Sequence, residues 1–130
     1  MKKKLIAIFA SMFCFGCSAA ATEEAWKTIT AVEAQEMMET ETDYIILDVR
    51  TREEYESAHI PGAICVPNED IGTEEVPELP DKEQLILVYC RSGNRSKQAS
   101  EKLAALGYTN IVEFGGINSW TGETVSGSEG

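Results

Sequence analysis

One stretch of the chain decides its fold class: Leu85-Ile86-Leu87-Val88-Tyr89-Cys90-Arg91-Ser92-Gly93-Asn94-Arg95-Ser96. The apolar residues at its start predict a strand buried on both faces, as in the centre of a parallel sheet. A helical pattern begins at Ser96, so residues 90–96 are predicted to connect a strand to a helix. The backbone N–H groups of such a loop point inward, and the helix dipole adds positive potential. We therefore expect an anion-binding site in this loop.

The first residue of this loop is a cysteine. Cys90 is followed by Arg91 and Arg95, which bring two positive charges within a few residues of its thiol. Positive surroundings favour the thiolate over the thiol, and the thiolate is the nucleophilic form. The sequence therefore predicts an enzyme that attacks an anionic substrate through the sulfur of Cys90.

Residues 1–21 have the composition of a secretory signal. Three lysines at positions 2–4 precede an apolar run over residues 5–15, which is too short to span a bilayer, and small residues follow. Two cleavage sites remain open. One is the run of alanines ending at Ala21, and the other is a lipoprotein signal ending at Gly16, with a lipid on Cys17. We expect an exported protein, periplasmic or at the cell surface, that touches a membrane only through such a lipid.

The composition of the 130 residues indicates one domain with its own core. The 11 basic and 22 acidic residues give a net charge of −11, and removal of the signal lysines leaves 8 basic against 22 acidic residues, a net charge of −14. So acidic a surface excludes polynucleotide binding. The single His59 and the scattered Cys65 and Cys90 lack the spacing of metal ligands, so neither a metal nor a cofactor is expected. A monomer is expected.

Strands and helices alternate over residues 22–122, which predicts a single α/β domain. Strands are predicted at residues 26–29, 44–49, 63–66, 85–89 and 111–114. Thr30 with Glu33, and Thr51 with Glu54, have the spacing of capping boxes, so each pair predicts the start of a helix. Acidic residues 68–84 are predicted to form a surface connection with one weak helical turn, and residues 123–130 a disordered tail.

Four segments in this order resemble the rhodanese (thiosulfate sulfurtransferase) family, in particular its single-domain bacterial members. They are residues 46–50, 59–63, 88–96, and 107–108 together with 114–117. The resemblance implies a three-layer sandwich with a mostly parallel sheet of about five strands and helices on both faces. Related cysteine phosphatases place five residues between the nucleophile and the arginine, whereas four separate Cys90 from Arg95. In the family, the shorter loop goes with sulfur substrates.

The resemblance also implies a two-step covalent reaction. The Cys90 thiolate would take a sulfane sulfur from a small anionic donor, such as thiosulfate or polysulfide, and hold it as a persulfide. A thiol or cyanide would then accept the sulfur. The loop that would bind the donor consists of Arg91, Ser92, Gly93, Asn94, Arg95 and Ser96.

Four further residues receive supporting or structural interpretations. Asp48 and Arg50 match the family's pair at a strand end, which implies that they brace the active loop by hydrogen bonds. His59 lies in a turn next to Pro61, so we interpret it as structural. Cys65 is interpreted as a small half-buried residue. A disulfide between Cys65 and Cys90 stays open, although it would block the loop and needs Cα atoms within about 7 Å.

Two other functions remain open at this stage. The chain could be a persulfide carrier that passes sulfur only to a partner protein, or an idle rhodanese-like interaction module. Both would have the same fold as a sulfurtransferase, so the fold does not distinguish the three functions, and the argument has to come from the chemistry of the site. Thiol redox work normally requires a C-x-x-C pair, and the pair with that spacing, Cys14 and Cys17, lies in the predicted signal.

Overall fold

The computed structural model describes residues 26–72, 74 and 76–128, and the predicted signal lies outside them. One parallel sheet of five strands has the order β1-β5-β4-β2-β3. The strands are β1 (Trp26–Thr28), β2 (Tyr44–Asp48), β3 (Ile64–Cys65), β4 (Leu85–Cys90) and β5 (Ile111–Gly116). The helices are α1 (Ala31–Thr40), α2 (Arg52–Ser57) and α3 (Asn94–Ala105), with short 3-10 helices at Asn68–Asp70 and Ile117–Ser119. Within this part of the chain, no helix is long and apolar enough to cross a membrane.

The predicted buried strand is the central strand of the sheet. Successive side chains of β4 point to opposite faces, as the geometry of a strand requires. Val88 and Cys90 join the apolar cluster that includes Leu103 of α3. Leu87 and Tyr89 join the cluster on the other face, where α1 and α2 pack. The predicted three-layer α/β sandwich is thereby confirmed.

Both predicted capping boxes are present. The Thr30 hydroxyl accepts the N–H of Glu33 at the start of α1, and the Glu33 carboxylate accepts the N–H of Thr30. Thr51 and Glu54 make the same reciprocal bonds at the start of α2. These bonds satisfy N–H groups that a helix start leaves without a partner inside the helix.

The connection after β3 differs from its prediction as a surface segment. Ile71, Val76 and Leu79 are buried and belong to the core cluster on the α3 face. The hydroxyl of Tyr108 donates to the carbonyl of Leu79 at 2.6 Å, which ties the connection to the segment before β5. The prediction was based on the many acidic residues of the segment, but its three apolar side chains complete the core.

The segment after residue 122 also differs from the predicted disordered tail. The backbones of Val125 and His59 exchange two hydrogen bonds of 2.8 Å, which form an antiparallel bridge. The N–H of Gly127 donates to the carbonyl of Glu56 at 2.8 Å. The polar, glycine-rich composition suggested disorder, but backbone hydrogen bonds to a distant turn hold residues 125–127.

A buried ion pair joins three parts of the fold below the predicted active loop. The guanidinium of Arg50 lies 2.6 Å from the carboxylate of Asp48, and it also donates to the carbonyl of Ala58 at 2.7 Å. The hydroxyl of Tyr89 donates to Asp48 at 2.8 Å and accepts the N–H of Ile60 at 3.1 Å. Burial opposes the charge of Arg50, but the hydrogen bonds and charge of Asp48 outweigh it and raise the pKa of Arg50.

This network changes the role predicted for Asp48 and Arg50. Their side chains bond to each other, to the turn after α2 and to Tyr89, the residue before Cys90, rather than to the loop over residues 91–96. They therefore act on the active loop indirectly, by fixing the end of β4.

We predict that Asp48→Ala lowers the free energy of unfolding by about 3–5 kcal/mol, because it leaves the buried guanidinium of Arg50 without its counter-charge. Urea unfolding followed by circular dichroism measures the loss. Glu101→Ala, an exposed change on α3, serves as the control and stays within about 0.5 kcal/mol of wild type. A loss below about 1 kcal/mol for Asp48→Ala, the range of exposed ion pairs, would contradict the prediction.

We also predict that Leu79→Ala destabilises the fold by about 2–5 kcal/mol, since it opens a cavity beneath the acidic connection. The neighbouring side chain of Glu78 is exposed, so Glu78→Ala is a matched control with an effect within about 0.5 kcal/mol. Both values come from the same urea titrations. Equal stabilities of the two variants would show that the connection does not contribute to the core.

Candidate active site

The predicted nucleophile lies at the carboxyl end of the central strand. Cys90 is the last residue of β4 and pairs with Gly116 of β5, after a shift in register between the two strands that follows Val88. Only 1% of the residue is exposed, so its sulfur lies at the base of the loop. Helix α3 begins at Asn94, two residues before the predicted start, which brings its first turn closer to the sulfur.

Gly93 forms the turn between the loop and α3. Its φ of +116° lies in the left-handed region, which a side chain would strain. No side chain caps the helix at this position, in contrast to the starts of α1 and α2. The first N–H groups of α3 therefore have no side-chain acceptor at the N-cap, and this is the arrangement that binds anions at helix starts.

The sulfur of Cys90 receives hydrogen bonds from this loop. The N–H of Gly93 donates to Sγ at 2.9 Å, and the Ser96 hydroxyl lies 3.6 Å from Sγ. Burial alone would raise the pKa of the Cys90 thiol. The Ser96 hydroxyl and the backbone N–H groups of Ser96, Gly93 and Ser92 outweigh burial, so the pKa lies below its usual value. Such a thiol is more often present as the nucleophilic thiolate.

The two arginines of the loop have different surroundings. Arg95 forms a two-bonded ion pair with Glu54 of α2, at 2.9 and 3.1 Å, and its charge also interacts with Cys90. The hydrogen bond to Arg95 is the main reason that the pKa of Glu54 falls to about 2. The side chain of Arg91 is exposed. Arg95 therefore has a defined place beside the sulfur, whereas Arg91 lies on the outer surface of the loop.

The structure thus brings together part of the predicted loop around one point. Cys90, Gly93 and Ser96 are buried against one another, with Arg95 half-buried beside them. Ser92 and Asn94 are exposed. The backbone N–H of Ser92 contributes to the environment of Cys90, and its side chain faces solvent.

The sequence alone did not show why residue 116 has to be a glycine. A Cβ atom at this position would overlap the carbonyl of Arg91, because the two backbones pass too close for any side chain. The N–H of Asn118 donates to the same carbonyl at 3.2 Å. The two consecutive glycines at 115 and 116 were the visible signal, but only the structure shows that the second one allows the loop to lie against β5.

Sequence reasoning also missed Glu113, which was predicted only as part of a strand. Its carboxylate is fully buried on β5 and accepts the Ser96 hydroxyl at 2.5 Å and the N–H of Gly115 at 2.8 Å. A charged residue inside an otherwise apolar strand was the available signal. A buried carboxylate requires such donors, and one of them, the Ser96 hydroxyl, belongs to the loop that holds Cys90.

The second cysteine has the properties of an inert thiol. Cys65 on β3 donates to the carbonyl of Arg50 at 3.6 Å. Burial, and then the charge of Asp48, raises its pKa to about 11. Cys65 and Cys90 are both free thiols in this structure. Of these two cysteines, only Cys90 therefore has the properties of a nucleophile.

His59 has the contacts of a structural residue. It is fully buried, its ring stacks on Tyr55 with 3.7 Å between centroids, and its Nδ1 lies 2.7 Å from the carbonyl of Tyr55. Its backbone carries the bridge to Val125. Within the described residues, no group of histidine, cysteine, aspartate or glutamate side chains is arranged to hold a metal ion.

This arrangement can carry out nucleophilic chemistry on a small anion. The sulfur lies where backbone N–H groups and one guanidinium favour negative charge, so an anionic substrate and its leaving group would both be stabilised there.

Comparisons with known proteins agree with the fold. The chain is similar to thiosulfate sulfurtransferase PspE of Escherichia coli (strain K12), with 38% identity over 71 residues, 55% of this chain and 68% of that protein. It is 36% identical over 80 residues to the putative sulfur carrier protein YrkF of Bacillus subtilis (strain 168), covering 61% of this chain but only 42% of that protein. A solved structure of a rhodanese with anions from E. coli matches with a TM-score of 0.60 and 34% identity, over 65% of this chain and 99% of that chain.

The model of one family covers most of the chain. The match to the rhodanese-like domain spans residues 30–123, and it includes the central strand, the loop with Cys90 and the glycine pair of β5. This span confirms the resemblance first seen in four short segments. The chain therefore belongs to the rhodanese-like domain family.

Proposed function

We propose that this chain is a sulfurtransferase that moves a sulfane sulfur from a small anionic donor, thiosulfate or polysulfide, to a thiol or cyanide through a persulfide on Cys90. One observation carries the proposal: the sulfur of Cys90 accepts the N–H of Gly93 at 2.9 Å beside the first turn of α3, and its pKa is lowered. The names of the sulfurtransferase and sulfur carrier relatives support the same chemistry.

The first step loads the enzyme. The Cys90 thiolate attacks the outer sulfur of thiosulfate, a new S–S bond forms on Cys90, and the S–S bond of thiosulfate breaks. Both electrons of the broken bond leave with sulfite. The loop N–H groups hold the negative charge that develops on the attacked sulfur and on the departing anion.

The second step unloads the enzyme. An acceptor thiolate or cyanide attacks the terminal sulfur of the persulfide, and the electrons of the broken S–S bond return to Cys90. The same N–H groups then stabilise the regenerated thiolate. No electrons are gained or lost overall, so the cycle requires no redox cofactor.

Arg95 supplies the positive charge that attracts the donor. Glu54 neutralises part of this charge, and it also holds the guanidinium in one place beside the loop. An anion that enters the loop therefore meets an oriented guanidinium together with the N–H groups of α3.

A persulfide carrier is the second candidate, and the similarity to a putative sulfur carrier protein favours it. A carrier would load Cys90 in the same first step and release the sulfur only to a partner protein. Fast loading by thiosulfate with slow release to cyanide and small thiols would identify the carrier. Fast loading and fast release together would identify the transferase.

We predict that thiosulfate adds one sulfur atom to Cys90 of the reduced full chain under anaerobic conditions. Mass spectrometry of the intact chain and of its Cys90 peptide measures the gain, and added cyanide should remove it. Cys90→Ser should gain nothing. Cys65→Ser should load like wild type, since Cys65 is the inert thiol. An unloaded Cys90 with both thiosulfate and polysulfide would leave the interaction module as the better interpretation.

We further predict that Arg95→Met slows loading by thiosulfate about tenfold at low ionic strength, because it removes the charge that attracts the anion. Stopped-flow or quenched-flow mass measurements give the second-order rate. Arg52→Met removes an equal charge from the exposed first turn of α2 and should change the rate by less than about twofold. If both variants load at the wild-type rate, Arg95 has no role in donor capture.

A further inference from the structure

Three cations lie in the active loop and the first turn of α3, and two of them are paired with carboxylates. Arg95 bonds to Glu54 through two hydrogen bonds of 2.9 and 3.1 Å. Lys97 lies 3.6 Å from the carboxylate of the buried Glu113. Arg91 is exposed, so solvent screens its charge. Each pair has a net charge of zero, and the approach to the sulfur therefore offers an anion less positive charge than the number of cations suggests.

The remaining positive potential comes from the backbone. The first N–H groups of α3 have no side-chain cap, and a helix start acts like roughly half a positive charge. The sulfur of Cys90 already draws on this potential, because the N–H of Gly93 donates to it at 2.9 Å. One further negative charge can be shared between the N–H groups and Arg95. A second one has no matching positive charge in the loop, so a donor with one negative charge suits the site better than a donor with two.

The carboxylate of Glu54 is held in its place beside Arg95 by its own helix. Its Oε1 accepts the N–H and the hydroxyl of Thr51 at 3.0 and 3.1 Å, in the capping box that starts α2. The next residue, Tyr55, is buried in the core cluster on the α1 and α2 face of the sheet. The hydrogen bond from Arg95 is the main reason that the pKa of Glu54 is about 2, so the carboxylate is negative whenever Cys90 is a thiolate. Its charge is therefore a permanent part of the site.

We propose that Glu54 is a specificity-determining residue that, by neutralising Arg95, favours sulfur donors with one negative charge over donors with two. The preferred donors are then singly charged compounds with a sulfane sulfur, such as a hydrogen polysulfide or an organic thiosulfonate. Thiosulfate, a dianion, loads Cys90 more slowly. Specificity of this kind arises because the competing ligand is bound less well. The inference rests on the proposed sulfurtransferase function and deepens it by naming the charge class of the donor.

Two donors of similar shape separate the effect of charge from the effect of size. Methanethiosulfonate has a methyl group where thiosulfate has one of its oxygens, and it has one negative charge instead of two. The Cys90 thiolate attacks the outer sulfur of either donor, a new S–S bond forms, and the S–S bond of the donor breaks. Both electrons of the broken bond leave with sulfite or with methanesulfinate. Both donors thus give the same persulfide, and the ratio of their loading rates reports how the site treats the second charge.

The test compares Glu54→Gln with Glu53→Gln in the reduced full chain under anaerobic conditions. Glutamine also completes a capping box with Thr51, and its amide oxygen can still accept an N–H of Arg95. Glu53 is the exposed neighbour in the first turn of α2, so its change removes an equal charge from the same helix. Quenched-flow mass measurements on the Cys90 peptide give the second-order loading rates.

For Glu54→Gln at low ionic strength we expect loading about tenfold faster than wild type with thiosulfate and about threefold faster with methanethiosulfonate. The released charge of Arg95 attracts a dianion with twice the energy with which it attracts a monoanion. Glu53→Gln should change either rate by less than about twofold. The gain of Glu54→Gln should largely disappear in about 0.5 M salt.

The ratio of the thiosulfate rate to the methanethiosulfonate rate separates this role from a merely structural one. A ratio that rises about threefold in Glu54→Gln, and not in Glu53→Gln, supports the proposal. A ratio that stays the same while both rates fall would show that Glu54 only holds the loop, and a lower ratio would show that it helps to bind dianions. Either result would overturn the proposal.

A second measurement needs neither sulfur transfer nor a folded variant. Sulfate and methanesulfonate differ by the same single charge, and each should slow the alkylation of Cys90 by uncharged iodoacetamide when it occupies the loop. At constant ionic strength, methanesulfonate should protect wild type at least as well as sulfate, and sulfate should gain about threefold on it in Glu54→Gln. Better protection of wild type by sulfate, or no protection by either anion, would overturn the proposal. A wild-type chain that loads from neither sulfur donor refutes the proposed function instead, since anion protection tests the charge preference by itself.

Discussion

The buried pair of Asp48 and Arg50 is the constraint on which the site depends. It joins the end of β2, the carbonyl of Ala58 after α2 and, through the hydroxyl of Tyr89, the end of β4. A buried ion pair adds little net stability against well-packed apolar residues, but loss of one partner is costly. Its main effect here is geometric. Tyr89 directly precedes Cys90, so the pair determines where the strand ends and where the sulfur lies.

Two glycines then allow the backbone to surround that sulfur. Gly93 takes a left-handed conformation that points its N–H at Sγ, and Gly116 leaves room for the carbonyl of Arg91. The ion pair places the end of the strand, and the glycines fold the loop back onto it. The ion pair alone would not lower the pKa of Cys90. A sulfur at the correct position would keep its thiol proton if the loop were distorted and its N–H groups pointed elsewhere.

The sequence was informative wherever the deciding interactions are local. The strand before Cys90 and the two capping boxes depend on residues within about one helical turn of one another, and all three are confirmed. Glu113 meets Ser96 and Thr28 only after β1, β5 and α3 have assembled. The burial of Leu79 under Tyr108 likewise joins distant segments. A single sequence carries no direct signal for such pairs, because the pairing is decided by the packing of the whole sheet.

The charge balance of the molecule leaves the attraction of an anion to groups close to the site. The chain has a net charge of −11, so its long-range field opposes the approach of an anion, and attraction must come from short-range donors and Arg95. A thiolate at Cys90 and a carboxylate at Glu113 would place two negative charges on either side of Ser96, before an anionic donor adds another. The N–H groups of the loop and the guanidinium of Arg95 must therefore offset both charges before an anion can bind beside the sulfur.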